Sequence, residues 1–222
     1  LMMDLGGEPL ILRTYKNVLK SKLFDKVYVV TDSKLIYDCL KESEALVLMS
    51  VRKHISGSDR IAEFSSKIST DIIVNIQGDE PFIDFNSLSK LINLFKKDVN
   101  SEIDLASLMQ KISIDDDIAN PNVVKVIVDS NNFAIYFSRS PIPYDRTEDN
   151  KTLFFKHIGV YAFRKKSLID FYNSKPTPLE KSEKLEQLRY LENGKKIMMV
   201  ETNYNGFGID TMDDLINARK II

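Results

Sequence analysis

The chain has one cysteine in 222 residues, which excludes an internal disulfide and any zinc cluster built on cysteine. Cys39 lies in a helical pattern, Leu35-Ile36-Tyr37-Asp38-Cys39-Leu40, where a small apolar side chain suffices. The two histidines, His54 and His157, stand far apart and lack the spacing of a zinc pair. No apolar run approaches the roughly 20 residues that a membrane-spanning helix needs. No secretory signal pattern is read at the amino end, so a cytoplasmic location is expected. There is no Gly-x-x-x-x-Gly-Lys-Ser/Thr loop, no Gly-x-Gly-x-x-Gly fingerprint and no Gly-x-Ser-x-Gly elbow, so P-loop, dinucleotide and nucleophile-elbow readings have no support. A net charge of −1 offers no general surface to nucleic acid or to an anionic membrane. Any anion must be held locally.

What is present is an alternation of helical and strand patterns. Charged residues make up 28% and apolar ones 43%, which suits a globular α/β class. Helical stripes are expected over 9–21, from Ser33 through Leu40, and over 58–68 and 86–95. Strands are expected over 26–31, 45–49 and 71–76. Such alternation predicts a doubly wound, mostly parallel sheet, with the carboxyl ends of its strands on one rim. After residue 100 the rhythm breaks. Two strand-like runs, 123–128 and 133–137, flank Asp129-Ser130-Asn131-Asn132, a hairpin signal. A loop rich in proline and charge follows, with Pro141, Pro143, Asp145, Arg146, Glu148 and Asp149. Then comes an aromatic strand, Phe154 to Phe163. Residues 133–165 read as an antiparallel arm, and the aromatic strand suits a subunit interface; the competing reading is an edge strand packed on its own domain. Helices over 165–173, 178–192 and 211–220 and a strand over 196–201 complete a single domain.

The residues that carry chemistry sit in turns. Asp71-Ile72-Ile73-Val74-Asn75-Ile76 is apolar on both faces and stops at Gln77-Gly78-Asp79-Glu80-Pro81. Ligands of open α/β sheets bind beyond the carboxyl ends of strands. A carboxylate there, with nothing basic beside it, can hold a hard divalent cation. A second acidic turn, Gly208-Ile209-Asp210-Thr211, precedes the last helix. If the fold brings Asp79 and Asp210 together, the pair suits Mg²⁺ completed by water and phosphate oxygens. The competing roles are a plain turn residue for Asp79 and a helix cap for Asp210. Ser56-Gly57-Ser58-Asp59-Arg60 enters a helix with hydroxyls and N–H groups that a nucleotide can use. Arg60 also fits an ordinary solvated helix position.

Together these segments resemble a family. Gln77-Gly78-Asp79-Glu80-Pro81-Phe82-Ile83 is similar to the strand-end motif of the 3-deoxy-manno-octulosonate (Kdo) cytidylyltransferases. So are Asn120-Pro121-Asn122-Val123-Val124-Lys125-Val126, Tyr136-Phe137-Ser138-Arg139-Ser140-Pro141-Ile142-Pro143 and His157-Ile158-Gly159-Val160-Tyr161. Pro178-Leu179-Glu180, Leu185-Glu186-Gln187-Leu188-Arg189 and Gly208-Ile209-Asp210-Thr211 complete the set, in order from about residue 4 to residue 218.

The resemblance implies a Rossmann-like nucleotidyltransferase with a dimerising arm, and therefore a homodimer. It implies transfer from CTP to Kdo, giving CMP-Kdo and pyrophosphate for lipopolysaccharide. It implies Asp79 and Asp210 as catalytic Mg²⁺ ligands, and Ser56, Ser58, Arg60, Gln77 and Gly78 around the nucleotide. Arg139 would then face the sugar carboxylate, with His157, Tyr161, Glu186 and Gln187 on sugar hydroxyls. Glu186 and Gln187 are adjacent on a helix and point about 100° apart, so at most one is expected to touch sugar directly. The family opens with a strand and a basic phosphate-binding loop, and this segment is expected to be missing ahead of Leu1. Two alternatives stay open: a cytidylyltransferase for another acid sugar such as a sialic acid, and a non-catalytic nucleotide-binding module.

Overall fold

The computed structural model describes residues 1–54, 56–113, 115–146, 152–204 and 206–222. Glu148 and Asp149 of the proline-rich loop, and residues 147–151 of the arm, lie outside the described residues. The chain packs as two compact units. The first comprises residues 1–64, 76–89 and 204–222, the second 65–75 and 90–203. Among the described residues no helix is long and apolar enough to cross a membrane.

In the first unit, helix α1 (Leu10–Lys20) starts behind Pro9, whose fixed φ suits a helix entry. Strands β1 (Val29–Thr31) and β2 (Val47–Met49) pair in parallel, joined by helix α2 (Lys34–Glu42). Ser33 caps α2, as its sequence suggests. Ile11, Leu12 and Tyr15 of α1 pack with Ile36, Leu40 and Ala45, and Val27, Val29 and Val47 close over them. Helix α3 (Gly57–Ser65) follows, and the chain re-enters this unit at the 76–84 turn. A second cluster joins Leu5 and Leu10 to Ile209, Leu215 and Ala218, with Phe82 and Phe207 against it. It therefore ties the 82 region to the 207–209 region through buried apolar area.

In the second unit, strand β3 (Ile72–Asn75), the remainder of helix α4 (Phe85–Lys97) and strand β4 (Leu105–Lys111) precede a short helix α5 (Asp115–Ala119). Strands β5 (Lys125–Val128) and β6 (Ala134–Ser138) form the expected hairpin. Strand β7 (Phe155–Arg164) leads to helices α6 (Lys165–Asn173), α7 (Pro178–Glu183) and α8 (Leu188–Glu192), then strand β8 (Ile197–Glu201). Helix α9 (Met212–Arg219) belongs to the first unit.

The six-stranded sheet runs β6-β5-β7-β4-β8, with β3 also on β7. β3, β4, β5 and β8 run one way and β6 and β7 the other, so strand directions are mostly parallel. The ladders themselves are mixed, because β7 inserts antiparallel between β4 on one edge and β3 and β5 on the other.

That insertion corrects two expectations. The aromatic strand is neither a sheet edge nor an exposed interface surface; β7 is central. Tyr161 is 6% exposed and Phe163 1%. Their rings lie in a row with Phe137, His157, Tyr190 and Phe171, with successive centroids 4.8–6.0 Å apart. The single helix expected over 178–192 is two helices. Lys184 adopts a left-handed conformation (φ 57°) and breaks the run.

The α7–α8 pair is locked by a buried ion pair. Arg189 Nε donates to Glu180 Oε2 at 2.8 Å and Nη2 donates to Glu180 Oε1, a bidentate geometry. The guanidinium also lies 4.0 Å from the Phe171 ring centroid. Both residues are buried, so removing the cation strands a carboxylate. Arg189→Met is expected to destabilise the protein by about 3–5 kcal/mol in urea titration; a loss below about 1 kcal/mol would contradict this role.

Candidate functional site

The first unit gathers the acidic turns. The 77–80 turn closes with Glu80 N donating to Gln77 O at 3.1 Å. Helix α1 holds it from below. Thr14 Oγ1 donates to Gly78 O at 2.9 Å, and Asn17 Nδ2 donates to Pro81 O at 3.0 Å and Ile83 O at 2.8 Å. Gly78 lets α1 approach closely, since a Cβ there would lie 2.7 Å from Ile11 Cδ1. The carboxyl-terminal turn docks on this platform. Ile209 N donates to Asp79 O at 2.9 Å. The Tyr204 hydroxyl donates to Glu80 Oε2 at 2.8 Å. Gly206 and Gly208 leave room for the docking. A Cβ on Gly206 would collide with the Tyr204 ring, and one on Gly208 would meet Glu80 Oε1 at 3.3 Å.

Asp79 and Asp210 are thereby brought side by side. Burial raises the Asp79 carboxyl above its ordinary value, and the Asp210 charge and a hydrogen bond between the two side chains raise it further. Asp210 is not the helix cap. Thr211 caps α9, its Oγ1 accepting from Asp214 N at 3.2 Å while Asp214 Oδ2 accepts from Thr211 N at 2.8 Å. Among the described residues no group of three or more His, Cys, Asp or Glu gathers as a metal site. Two facing carboxylates still fit Mg²⁺, which takes one or two protein carboxylates and keeps water and phosphate ligands.

Beside the acidic pair lies the Ser-Gly-Ser turn. A Cβ on Gly57 would sit 3.1 Å from both Gln77 Nε2 and Oε1, so the Gln77 amide lies flat on that turn. Ser56 Oγ accepts from Asp59 N at 3.2 Å, capping α3, and Ser58 is buried. Arg60 Nη2 bonds Asp32 Oδ2 at 3.3 Å, while its buried Nε has no hydrogen-bond partner among the described residues. His54, isolated in sequence, fastens the preceding loop; its Nε2 lies 3.0 Å from Ser50 Oγ and 2.9 Å from Glu63 Oε2.

The second unit gathers the residues expected to meet the sugar. His157 Nε2 lies 2.8 Å from Ser107 Oγ, and its Nδ1 3.5 Å from Gln187 Nε2. The Tyr161 hydroxyl donates to Gln187 Oε1 at 3.2 Å. Burial pushes the His157 imidazole down from 6.5 to about 3, so it is neutral at any ordinary pH. Burial, then the Glu186 carboxylate, pushes Tyr161 well up. Glu186 and Gln187 do not lie on a helix as expected: they form the turn between α7 and α8, with Gln187 at the N-cap of α8, and there Gln187 is 2% exposed and Glu186 half-buried.

Arg139 is anchored on main-chain carbonyls. Its Nε donates to Glu183 O at 2.7 Å and its Nη1 to Pro121 O at 2.9 Å. These two bonds use one of its two Nη1 N–H groups and the Nε N–H, so the Nε edge of the fork is already engaged within the protein. Sequence reasoning missed Thr14, Asn17, Tyr204 and Ser107. Only Ser107 carried a signal, a hydroxyl inside an otherwise apolar run.

Comparisons with known proteins identify the family. A family model described as Cytidylyltransferase matches residues 1–197. A 3-deoxy-manno-octulosonate cytidylyltransferase of Flavobacterium johnsoniae is 54% identical over 222 residues, spanning 100% of this chain and 91% of that protein. One of Christiangramia forsetii is 52% identical, spanning 100% and 90%. A solved structure of CMP:2-keto-3-deoxy-manno-octonic acid synthetase complexed with CTP matches with a TM-score of 0.92 at 34% identity, covering 99% of this chain and 90% of that one. The chain belongs to the 3-deoxy-manno-octulosonate cytidylyltransferase family.

Proposed function

We propose that this protein transfers a cytidylyl group from CTP to Kdo, releasing pyrophosphate and supplying CMP-Kdo for lipopolysaccharide, in the cytoplasm where CTP is made. The observation that carries the reading is the docking of the 208–211 turn onto the 77–80 turn, which sets Asp79 beside Asp210. A hydroxyl of the sugar attacks the α-phosphorus, and the bond to pyrophosphate breaks. Such a reaction asks the protein to position two anions and to offset charge on the phosphates.

Asp79 and Asp210 would hold Mg²⁺. Bound there, the ion would stabilise negative charge on the phosphates and make the attacking hydroxyl more acidic. Ser56, Ser58, Gln77 and Gly78 surround the nucleotide in this reading. Arg60 is suited to an acceptor on it, because its buried Nε has no partner among the described residues and an unmade bond there is costly. On the sugar side, Arg139 contributes the N–H groups of its two terminal nitrogens that its main-chain bonds leave over to the carboxylate, and Tyr161, Gln187, Glu186 and His157 form the polar surroundings of the hydroxyls. The neutral imidazole suits that task, since a charged one would need a counter-ion there. We further propose a homodimer through the 133–165 arm, supported by the edge strand β6 and by the exposed apolar residues Ile135, Tyr144 and Leu153.

Intact protein incubated with CTP, Mg²⁺ and Kdo is expected to release pyrophosphate; release no greater than without sugar would reject the reading, and faster release with a sialic acid would redirect it. Asp79→Asn and Asp210→Asn are each expected to lower turnover by more than tenfold, at least about 1.4 kcal/mol of barrier. Each should keep or slightly raise metal-free thermal stability, because one of two facing charges is gone. Retained turnover in either variant would remove that residue from the metal site. The imidazole gives a pH prediction. Its folded pKa lies below the unfolded 6.5, so only the unfolded chain takes up the proton as pH falls. Stability should therefore drop below neutral pH with a slope approaching about 1.4 kcal/mol per pH unit. Urea titrations of His157→Gln should lack that component; equal slopes in both proteins would show that His157 titrates normally.

A further inference from the structure

β4 and β7 lose register between Ser107 and Leu108. Ser107 sits opposite Tyr161, and Leu108 opposite Ile158. Gly159 and Val160 therefore have no partner on β4, and the strand bulges between His157 and Tyr161. The Ser107 side chain, fully buried, fills the place. Its Oγ lies 2.8 Å from Val160 O, 3.2 Å from Ile158 O and 2.8 Å from His157 Nε2.

A hydroxyl has one proton to give. Facing two carbonyl oxygens, Ser107 Oγ must give it to them, because three oxygens crowded without a proton would repel. Oγ then accepts from His157, whose proton is on Nε2. Nδ1 is left as an acceptor, so Gln187 turns its Nε2 toward it and its Oε1 toward the Tyr161 hydroxyl. Every contact in the chain has one donor and one acceptor. The charged neighbour of this chain is Glu186, beside Tyr161.

We propose that Ser107 is a positioning residue for the acid-sugar acceptor: by holding His157 as the Nε2–H tautomer it fixes the Gln187 amide and the Tyr161 hydroxyl in one orientation. This rests on the sugar-binding reading above. Its consequence is a defined polarity. Tyr161 Oη has spent its proton on Gln187 and keeps lone pairs for a sugar hydroxyl that donates. Gln187 keeps one N–H for a sugar oxygen that accepts. His157 has both ring nitrogens engaged within the protein and acts from behind these two.

The chain has two histidines, so histidine-labelled protein gives two ring spin systems, and His54→Gln assigns them. Long-range proton–nitrogen correlation at neutral pH is expected to show His157 as the neutral Nε2–H tautomer. An Nδ1–H tautomer or an imidazolium overturns the proposal, whether or not the protein turns over any sugar. Ser107→Ala is expected to mix the tautomers and to raise KM for the acid sugar about tenfold. KM for CTP stays unchanged, and Ser107→Thr restores both properties. An equal rise for the two substrates, or no rise for the sugar, overturns it. Should Ser107→Ala fail to fold, the tautomer in the unaltered protein decides. Absence of turnover with every acid sugar would instead defeat the functional reading, leaving the tautomer to judge Ser107 alone.

Discussion

One backbone hydrogen bond, Ile209 N to Asp79 O at 2.9 Å, joins turns 130 residues apart in sequence, and the chemistry of the first unit depends on it. Two like charges would not stay adjacent unaided. Apolar burial of Ile209, Leu215, Phe82 and Phe207 around the joint, the Tyr204–Glu80 bond and the close approach at Gly208 all favour the docked arrangement. The fold thus holds two carboxyl groups close together, a contact that the proposed divalent cation would relieve. That is how structure preorganises a site before its ligand arrives.

The second unit solves a different problem. It must present polar groups from inside a sheet without leaving them unsatisfied. The β7 bulge exposes two carbonyls, Ser107 answers them, and each following side chain passes the hydrogen-bond direction onward to Tyr161. The surrounding rings of Phe137, Tyr161 and Phe163 keep water out and the imidazole neutral. The buried Arg189–Glu180 pair steadies helix α8, which Gln187 immediately precedes.

Much of this was legible in the sequence. Strand-then-turn patterns located Asp79 and Asp210, and β-branched runs located β1 and β3. What escaped has physical causes. β4 reads Leu-Ala-Ser-Leu-Met-Gln-Lys, without one β-branched residue, and local propensity favours helix. Pairing with β7 on one edge and β8 on the other overrides it. The one polar signal in that run, the Ser107 hydroxyl, could not be placed without its strand. The aromatic strand β7 pointed to an interface because aromatic surface is common to interfaces and cores; only its two-sided pairing decides. Lys184 has no side-chain signature for a left-handed residue, so the α7–α8 break was invisible. The tie of Thr14 and Asn17 to the 78–83 turn spans 64 to 66 residues, beyond any local pattern.

The most direct test of the central claim is a crystal structure of the intact protein with CTP and Mg²⁺. The account predicts an ion within about 2.1 Å of one oxygen of Asp79 and one of Asp210, with CTP oxygens among its other ligands. An ion held elsewhere, or one that leaves either aspartate uncoordinated, would contradict it.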